Sequence, residues 1–390
     1  MYLNISPSNI IFILAYAFDL KWEYLVKEIS ETDLQESSFF ELLVFVLVKW
    51  TNKLRRQGLF RSFLEIENEI KRIRGKILFK PSIKSNGLSG NTLCCQFDEL
   101  SFDILENQIL LSTLEFCEKE LVKRKRNVKE KKKKDDLDDL ALSAYNLVRL
   151  LSSQVSYRPL GIQLFNQLFF HRMNIAYKPI LRICRFIYDA AVLAQEGEEK
   201  FFDIPENKIS EIFERFLRNY LAEKLRYKGY RINEKSFESN TWLNREDQSN
   251  IKHMPAIHPD IIIWEKGNPK FVIDAKFYEK PLYMANLYRQ NDNSEKENNV
   301  YKIRSHNLYQ IMAYSQFLNC NGLLVYAQTQ MGAFEEMVYL NSKYYDEDEK
   351  QESEKRRFGF CTLDLSGDFE EFKGRMDGFV QKVIELIKIN

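Results

Sequence analysis

One stretch, HPDIIIWEKGNPKFVIDAKFY at residues 258–278, constrains the fold more than any other part of the chain. Two apolar runs flank the turn-forming residues EKGNP, a pattern typical of two adjacent strands joined by a tight turn. Counting back from a turn centred near Gly267 pairs Asp274 with residue 260 or 261. The sequence therefore predicts an antiparallel hairpin that brings Asp260 and Asp274 close together.

The polar residues at the ends of these strands indicate a chemistry. Side chains alternate between the two faces of a strand, so Asp274 and Lys276 share one face and Ala275 lies on the other. Two adjacent carboxylates repel each other unless a cation lies between them, and hard carboxylate oxygens suit Mg²⁺. A lysine beside such a cation can orient water and stabilise charge on a phosphoryl group. The pattern favours phosphodiester hydrolysis, and the alternative is a hairpin whose ends carry only solvated charges.

Length and composition set the outer bounds. The chain has 390 residues, of which 45% are hydrophobic, and a formal net charge of +1. A globular protein of two or three domains is expected, and any contact with nucleic acid must come from local patches of charge. The six cysteines form no C-x-x-C pair, which fits core thiols in a reducing compartment. No apolar run is long enough to span a bilayer, so a cytoplasmic protein that does not bind membranes is expected.

The N-terminal half reads as mostly helical, with one interruption. Helices are predicted over residues 8–30, 37–57, 103–125, 137–155 and 160–196. Strand-like KILFKPSI and NTLCCQF, separated by the turn-prone KSNGLSG at residues 84–90, predict a protruding β-hairpin over about 76–100. The run RKRNVKEKKKKDDLDDL at residues 124–140 changes from basic to acidic. It is either an exposed helix end with a solvated loop or a contact to a DNA backbone or a protein partner.

The C-terminal half reads as an α/β unit with a central mixed sheet. Helices are predicted over 206–226 and 302–319, and strands near 230–239, 257–264, 270–276 and 322–328. On the first helix Glu214 lies on the flank of the apolar stripe and can face the sheet, with Glu223 as the second choice and a plain surface charge as the alternative. On the second helix Asn307, Gln310 and Tyr314 form one polar stripe. That stripe either faces solvent or holds a nucleic-acid strand or the attacking water.

These elements, in this order, resemble the PD-(D/E)xK nucleases. The resemblance is carried by Glu214, Asp260, the Asp274-Ala275-Lys276 triplet and the Gln310-x-x-x-Tyr314 element. The chain also resembles, over essentially its whole length, the McrC family, the nuclease subunits of modified-cytosine restriction systems. This similarity is carried by four segments: NISPSNIIFILAYAF, RGKILFKPSI, CQFDELSFDILENQILLSTL and VIDAKFY.

The resemblance implies a restriction-endonuclease-like domain over residues 201–390 and a partner-binding region over 1–200. It implies that Asp260, Asp274, the carbonyl of Ala275 and Glu214 bind Mg²⁺, which Mn²⁺ can replace, and that Lys276 positions water. Gln310 and Tyr314 would hold the DNA strand, and His258 would be a supporting or structural neighbour.

The resemblance also implies a partner, a McrB-type AAA+ GTPase whose hexameric ring the hairpin enters. The hairpin's basic residues, Arg74, Lys76, Lys80 and Lys84, are the expected contacts to that ring. No G-x-x-x-x-G-K-[ST] sequence occurs in the chain, so nucleotide hydrolysis must come from the partner. Double-stranded DNA is the expected substrate, read largely by the partner.

Two other functions stay open. A stand-alone PD-(D/E)xK repair nuclease would cut DNA without an NTPase, but the elaborate N-terminal half argues against it. A non-catalytic activator would keep only the partner contacts, and decay of the acids or the lysine would then be expected. All of these residues are present in this chain.

Overall fold

The structure is a computed structural model. It describes residues 5–26, 37–84, 91–194, 204–233, 257–278, 282–286, 299–328, 335–339 and 357–388. Within these ranges no helix is both long enough and apolar enough to cross a membrane.

The described part of the chain contains both helices and strands. The helices are α1 (Pro7–Ala17), α2 (Trp22–Val26), α3 (Phe39–Gln57), α4 (Phe79–Lys84), α5 (Leu105–Asn127), α6 (Lys131–Ser152), α7 (Ile162–Asn166), α8 (Lys178–Ala194), α9 (Glu206–Arg226), α10 (Ser305–Leu318) and α11 (Phe369–Lys388). The strands are β1 (Ser62–Ile70), β2 (Lys76–Ile77), β3 (Leu93–Ser101), β4 (Tyr230–Asn233), β5 (Ile261–Glu265), β6 (Asn268–Lys276), β7 (Leu282–Asn286), β8 (Asn299–Ile303), β9 (Asn321–Gln328), β10 (Glu335–Tyr339) and β11 (Arg357–Asp364). The chain divides into two compact units, one formed by Met1–Leu42 with Ile204–Asn390 and the other by Leu43–Asp203.

The first unit is built on a six-stranded sheet with the order β10-β11-β9-β6-β5-β4. The pairs β11–β9 and β9–β6 are parallel, whereas β10–β11, β6–β5 and β5–β4 are antiparallel. Because β6 and β9 run parallel, the chain crosses between them through α10. These features confirm the central mixed sheet that was predicted for the C-terminal half.

The turn between β5 and β6 follows from two residues. Lys266 and Gly267 both have positive φ, 51° and 90°, and Glu265 pairs with Asn268 across them. A two-residue loop with both φ positive matches the right-handed twist of the strands that it joins. A one-residue shift of the register between Ile263 and Trp264 then pairs Ile261 with Ile273, which places residue 260 opposite Asp274 as predicted.

Helices pack on the apolar side chains of this sheet. Buried residues of β5, β6 and β9, namely Ile262, Val272, Leu324 and Tyr326, form one cluster with Ile311, Tyr314 and Leu318 of α10. On α9, Phe213 contacts Phe277 with ring centroids 5.9 Å apart, just beyond the end of β6. The side-chain amide of Asn219 on α9 donates to the carbonyl oxygen of Tyr16, 2.7 Å away, which holds α1 against α9.

The second unit contains helices and a small antiparallel sheet with the order β1-β3-β2. The predicted strand over KILFKPSI is wrong beyond Ile77, because residues 79–84 form α4. Pro81 has no N–H to give to a strand ladder but is tolerated in the first turn of a helix. Ser82 fixes α4 to the sheet, since its hydroxyl accepts a hydrogen bond from the amide of Cys94 at 2.9 Å.

Two further elements of this unit differ from the prediction. The long strand β1, which pairs with β3 over nine residues from Ser62 to Ile70, was not predicted. Helix α6 begins at Lys131 rather than at residue 137, so Lys131 to Lys134 form the first turn of a helix, in agreement with the predicted helix end. Residues 85–90, which hold the predicted hairpin turn, and residues 234–239 of a predicted strand lie outside the described residues.

Candidate active site

The two aspartates meet at the end of the β5–β6 hairpin. Asp260 directly precedes β5, and its Oδ2 accepts a hydrogen bond from the backbone amide of Ala275 at 2.9 Å. Asp274, one residue earlier on β6, faces the opposite way from Ala275 along the pleat. The strand that carries Asp274 thus also orients the carboxylate of Asp260.

Lys276 lies between the two carboxylates. Its Nζ is 2.9 Å from Asp274 Oδ2 and 4.0 Å from Asp260 Oδ2. The Asp274 side chain is fully buried, and those of Lys276 and Asp260 are 14% and 15% exposed. The predicted cluster of two acids and a lysine is therefore present and largely buried.

Burial shifts the pKa values of the charged groups in this cluster. Burial, together with repulsion from Asp260, raises the pKa of Asp274 well above its ordinary range. Burial lowers the pKa of Lys276, but Asp274 and Asp260 outweigh it and raise that pKa overall, so the side chain is an ammonium. Neither oxygen of Asp274 accepts a hydrogen bond of regular geometry from the described residues, and its contact with Lys276 is an ion pair.

Glu214 on α9 is the third acid near the cluster. Burial, followed by repulsion from Asp260, raises its pKa to about 7. The hydroxyl of Ser210, one turn earlier, lies 3.4 Å from Glu214 Oε1. Glu223 is exposed on another part of α9, where its Oε1 accepts a hydrogen bond from Tyr16 at 3.1 Å. Of the two glutamates that the sequence left open, Glu214 is the one whose pKa the charges of Asp260 and Lys276 influence.

Helix α10 contacts the backbone that leads into the site. The hydroxyl of Tyr314 donates to the carbonyl oxygen of His258 at 3.0 Å and accepts from Gln310 Nε2 at 2.7 Å. Tyr314 is 8% exposed, so this polar stripe does not face solvent. Its hydroxyl is engaged with the protein itself.

A second group of hydrogen-bonded side chains, centred on Asn307, was predicted only in part. Asn307, fully buried, donates from Nδ2 to the hydroxyl of Tyr326 at 3.1 Å and accepts from that of Tyr278 at 3.3 Å. The guanidinium of Arg304 lies over the Tyr278 ring, 4.5 Å from its centroid. The polar stripe predicted Asn307, but its partners lie on β9 and after β6, and only the pairing of distant strands brings them together.

The donor atoms of the site fit a divalent cation. Two carboxylates lie beside one ammonium, and neither oxygen of the buried Asp274 accepts a hydrogen bond of regular geometry from the described residues. Within the described ranges, no group of three or more His, Cys, Asp or Glu side chains is arranged as a complete ligand set. The fit therefore rests on the hard oxygens of Asp260 and Asp274, which are the ligands that Mg²⁺ prefers.

The residues expected to contact a partner lie in the second unit. Arg74, Lys76, Lys80 and Lys84 are all exposed, beside β2 and along α4. The guanidinium of Arg74 lies 4.8 Å from the centroid of the Phe97 ring on β3. Gly75 has φ +68°, and a Cβ there would lie 2.2 Å from the Gln96 carbonyl oxygen, so only glycine lets Arg74 and Lys76 flank β3 so closely.

Comparison with known proteins gives a consistent result. A family model described as McrBC 5-methylcytosine restriction system component matches residues 8–327. The type IV methyl-directed restriction enzyme EcoKMcrBC of Escherichia coli (strain K12) is 26% identical over 334 residues, which cover 83% of this chain and 86% of that protein.

Two solved structures are also similar. One is the half-complex from a tetradecameric assembly of Thermococcus gammatolerans McrB AAA+ hexamers with bound McrC, which covers 96% of this chain and 75% of the matched chain at 17% identity and a TM-score of 0.46. The other is the cryo-EM structure of the Thermococcus gammatolerans McrBC complex, which covers 56% and 60% at 20% identity and a TM-score of 0.33. The family model spans most of the chain, including both strands of the acidic hairpin.

Proposed function

Because the chain belongs to the family of McrBC 5-methylcytosine restriction system components, we propose that it is the nuclease subunit of such a system. In this proposal it hydrolyses phosphodiester bonds of double-stranded DNA with Mg²⁺, working in the cytoplasm with a McrB-type AAA+ GTPase. Its residues 257–278 would belong to the restriction-endonuclease-like fold of the PD-(D/E)xK nucleases.

One observation carries the catalytic part of the proposal. Asp274 is a fully buried carboxylate that faces a second carboxylate, and among the described residues the Lys276 ammonium is its one contact of opposite charge. An arrangement that disfavours its own charge is costly for a merely structural hairpin, because burying like charges raises the free energy of the folded state. Such clusters of perturbed acids are typical of functional sites.

The residues would divide the chemistry as follows. Asp260 and Asp274 would hold Mg²⁺, with the Ala275 carbonyl as a further ligand and Glu214 as support from α9. The bound cation would lower the pKa of water and neutralise charge on the phosphoryl group. Lys276 would orient the attacking water and stabilise the charge that develops on the phosphate oxygens. Ala275 has a second role, since its amide holds the Asp260 carboxylate in place.

In this proposal nucleotide hydrolysis comes from a partner, because the chain has no P-loop of its own. We infer that the second unit binds a hexameric McrB-type AAA+ GTPase, and that the segment around β2, α4 and residues 85–90 stimulates its nucleotide hydrolysis. Exposed Lys80 and Lys84 at the end of this segment suit a ring lined by acidic groups or phosphates.

Two substitutions test the catalytic assignment. Asp274→Asn and Lys276→Ala should each abolish DNA cleavage in the presence of the partner, GTP and Mg²⁺, while stimulation of the GTPase persists. Glu265→Gln removes a carboxylate from the opposite end of the same hairpin and serves as the matched control. Cleavage near the wild-type rate by either site variant would refute the assignment, and stimulation without cleavage by the wild-type chain would indicate a non-catalytic activator.

A binding measurement tests the metal without reference to activity. Mg²⁺ that binds only the folded chain should raise the melting temperature of the wild type. At a hundredfold excess over Kd, the binding should add about 2.7 kcal/mol to the free energy of unfolding. Asp274→Asn should melt at or above the wild-type temperature in chelator, because its amide relieves the repulsion with Asp260. The same variant should show no rise with Mg²⁺.

A further inference from the structure

Helices α5 and α6 form an antiparallel hairpin whose end carries no core. The two helices are joined by residues 128–130 and pack through buried side chains such as Leu114 and Leu121 on α5 and Leu137 and Ala141 on α6. Between Leu121 and Leu137, a stretch that the structure describes throughout, no residue is buried. The last turn of α5 and the first turn of α6 therefore extend past the packed seam.

This end is strongly cationic. Residues 123–134 contain nine basic side chains (Lys123, Arg124, Lys125, Arg126, Lys129 and Lys131 to Lys134) against one acidic residue, Glu130, which is a net charge of +8. We call these twelve residues the cationic tip. Acidic residues lie on either side of the tip: Lys123 pairs with Glu120, Lys125 Nζ lies 2.5 Å from Asp138 Oδ1, and four aspartates follow the lysines at positions 135, 136, 138 and 139.

The position of the lysines is unfavourable for the helix itself. The N-terminal end of a helix carries a partial positive charge and favours acidic residues in its first turn. Helix α6 instead begins with four lysines and has no acid in that turn. Arg126, an exposed cation in the last turn of α5, adds to the positive charge of the cationic tip. A bound polyanion would neutralise this charge.

The composition of the tip favours nucleic acid over protein as the polyanion. Seven of its nine cations are lysines, a residue depleted from protein interfaces, where aromatic residues, methionine and arginine are enriched. The tip contains no aromatic residue and no methionine, and Val128 is its one apolar side chain. Duplex DNA presents about one negative charge per 1.7 Å of its axis, which suits such a cluster of flexible point charges.

We propose that the cationic tip is a second, sequence-independent binding site for the phosphate backbone of duplex DNA, separate from the hydrolytic cluster. The inference rests on the proposed function only in taking DNA as the substrate. It gives a function to the basic run of the sequence, which takes no part in the proposed nuclease chemistry. It predicts that binding at the tip depends steeply on salt and not on base sequence or methylation.

Charge neutralisation at the tip tests the site in a chain that cannot cut. In an Asp274→Asn background, in chelator, the exposed tip residues Arg126, Lys129, Lys131 and Lys134 are changed to Gln, and binding of a labelled duplex is followed by anisotropy over a salt series. The matched control changes four exposed cations elsewhere in the same unit, Arg55, Arg56, Arg149 and Arg172, to Gln. Both variants lose the same net charge.

The tip variant should bind DNA at least about tenfold more weakly at about 0.1 M salt. Its plot of log K against log salt should be shallower, by about 0.9 for each phosphate that the chain no longer neutralises. The control should stay within about threefold of its parent. Melting of the tip variant should be unchanged or higher, because the α6 end loses its repulsion.

An equal loss of affinity in both variants, an unchanged salt slope, or absence of DNA binding by the parent would overturn the proposal. So would retained DNA affinity with lost binding to the GTPase partner, because the tip would then be a protein contact. If the wild-type chain fails to cut DNA but the tip variant still binds it more weakly, the nuclease assignment fails and the tip site stands.

Discussion

The hydroxyl of Tyr314 donates a hydrogen bond at 3.0 Å to the main-chain carbonyl oxygen of His258, two residues before Asp260. Gln310 donates to the same hydroxyl, so one turn of α10 fixes the backbone from which Asp260 extends. The Gln-x-x-x-Tyr element therefore contacts the backbone that leads into the site. We infer that Tyr314 is a positioning residue, which differs from the direct hold on DNA that the sequence led us to expect.

Replacing Tyr314 by Phe should separate these two roles. The variant leaves the His258 carbonyl without its donor, so kcat for DNA cleavage should fall about tenfold or more, as for loss of a group that orients a metal ligand. The free energy of unfolding should fall by about 1 kcal/mol. Tyr309→Phe, on the exposed face of the same helix, is the control. A weaker affinity for DNA with unchanged kcat would instead mean that Tyr314 holds the strand.

The two glutamates of α9 provide a matched pair. Glu214 lies close enough to Asp260 and Lys276 to feel their charges, whereas Glu223 pairs with Tyr16. Glu214→Gln should lower the cleavage rate at limiting Mg²⁺ by at least about tenfold, with partial recovery at high Mg²⁺, because one supporting charge is lost. Glu223→Gln should cut normally. Equal effects of the two substitutions on the Mg²⁺ dependence would contradict the placement of Glu214 at the cluster.

Asp377 on α11 should make stability depend on pH in the acid range. Burial acts to raise its pKa, but hydrogen bonds from Tyr220 and Lys224 outweigh burial and lower the pKa below its ordinary value of 3.8. A carboxyl whose folded pKa is depressed contributes stability above its unfolded pKa and loses it as the pH falls through the folded one.

Tyr220→Phe should therefore cost about 1 kcal/mol near neutral pH, a modest figure because Asp377 is half-exposed. The difference from the wild type should shrink as the pH falls below the ordinary pKa of Asp377. Urea unfolding at about pH 7 and about pH 3 measures it. A deficit that is equal at both pH values would show that the hydroxyl acts without the carboxylate.

The hairpin could be predicted because its signals are local. Turn residues place the loop of the hairpin, and alternation along β6 fixes the faces of Asp274 and Lys276, whereas the one-residue register shift between Ile263 and Trp264 was not predicted. The α9 limits followed in the same way from one regular apolar stripe. These features need only neighbours in sequence, and the structure contains them as predicted.

Features that depend on distant segments could not be predicted in this way. The contact of Asn219 with Tyr16 joins residues 203 positions apart, and the pairing of β6 with β9 is what brings Tyr278 and Tyr326 together at Asn307. The missed strand β1, SFLEIENEI, alternates charged and apolar residues but lies next to a helix-like run of Lys and Arg. Local residue preferences therefore did not decide whether β1 is a strand or a helix, and its strand conformation depends on pairing with β3.

The two proposed functions of the chain should be separable by substitution in different units. Replacing residues 84–90, KSNGLSG, by a short Gly-Ser turn removes Lys84 and the loop that follows α4, while Ser82 and its bond to Cys94 keep α4 in place. This variant should lose stimulation of the partner's GTPase, because it lacks the basic exposed end that would enter the ring. Steady-state GTP hydrolysis, titrated with the variant, measures the loss.

Asp274→Asn is the reciprocal variant, expected to stimulate the GTPase fully and to cut no DNA. The loop variant keeps the cluster of Asp260, Asp274 and Lys276 intact, so its Mg²⁺-dependent rise in melting temperature should match the wild type and prove that the site is folded. Full stimulation by the loop variant would place the activating contact elsewhere in the second unit, with exposed Arg74 and Lys76 beside β2 as the next residues to change.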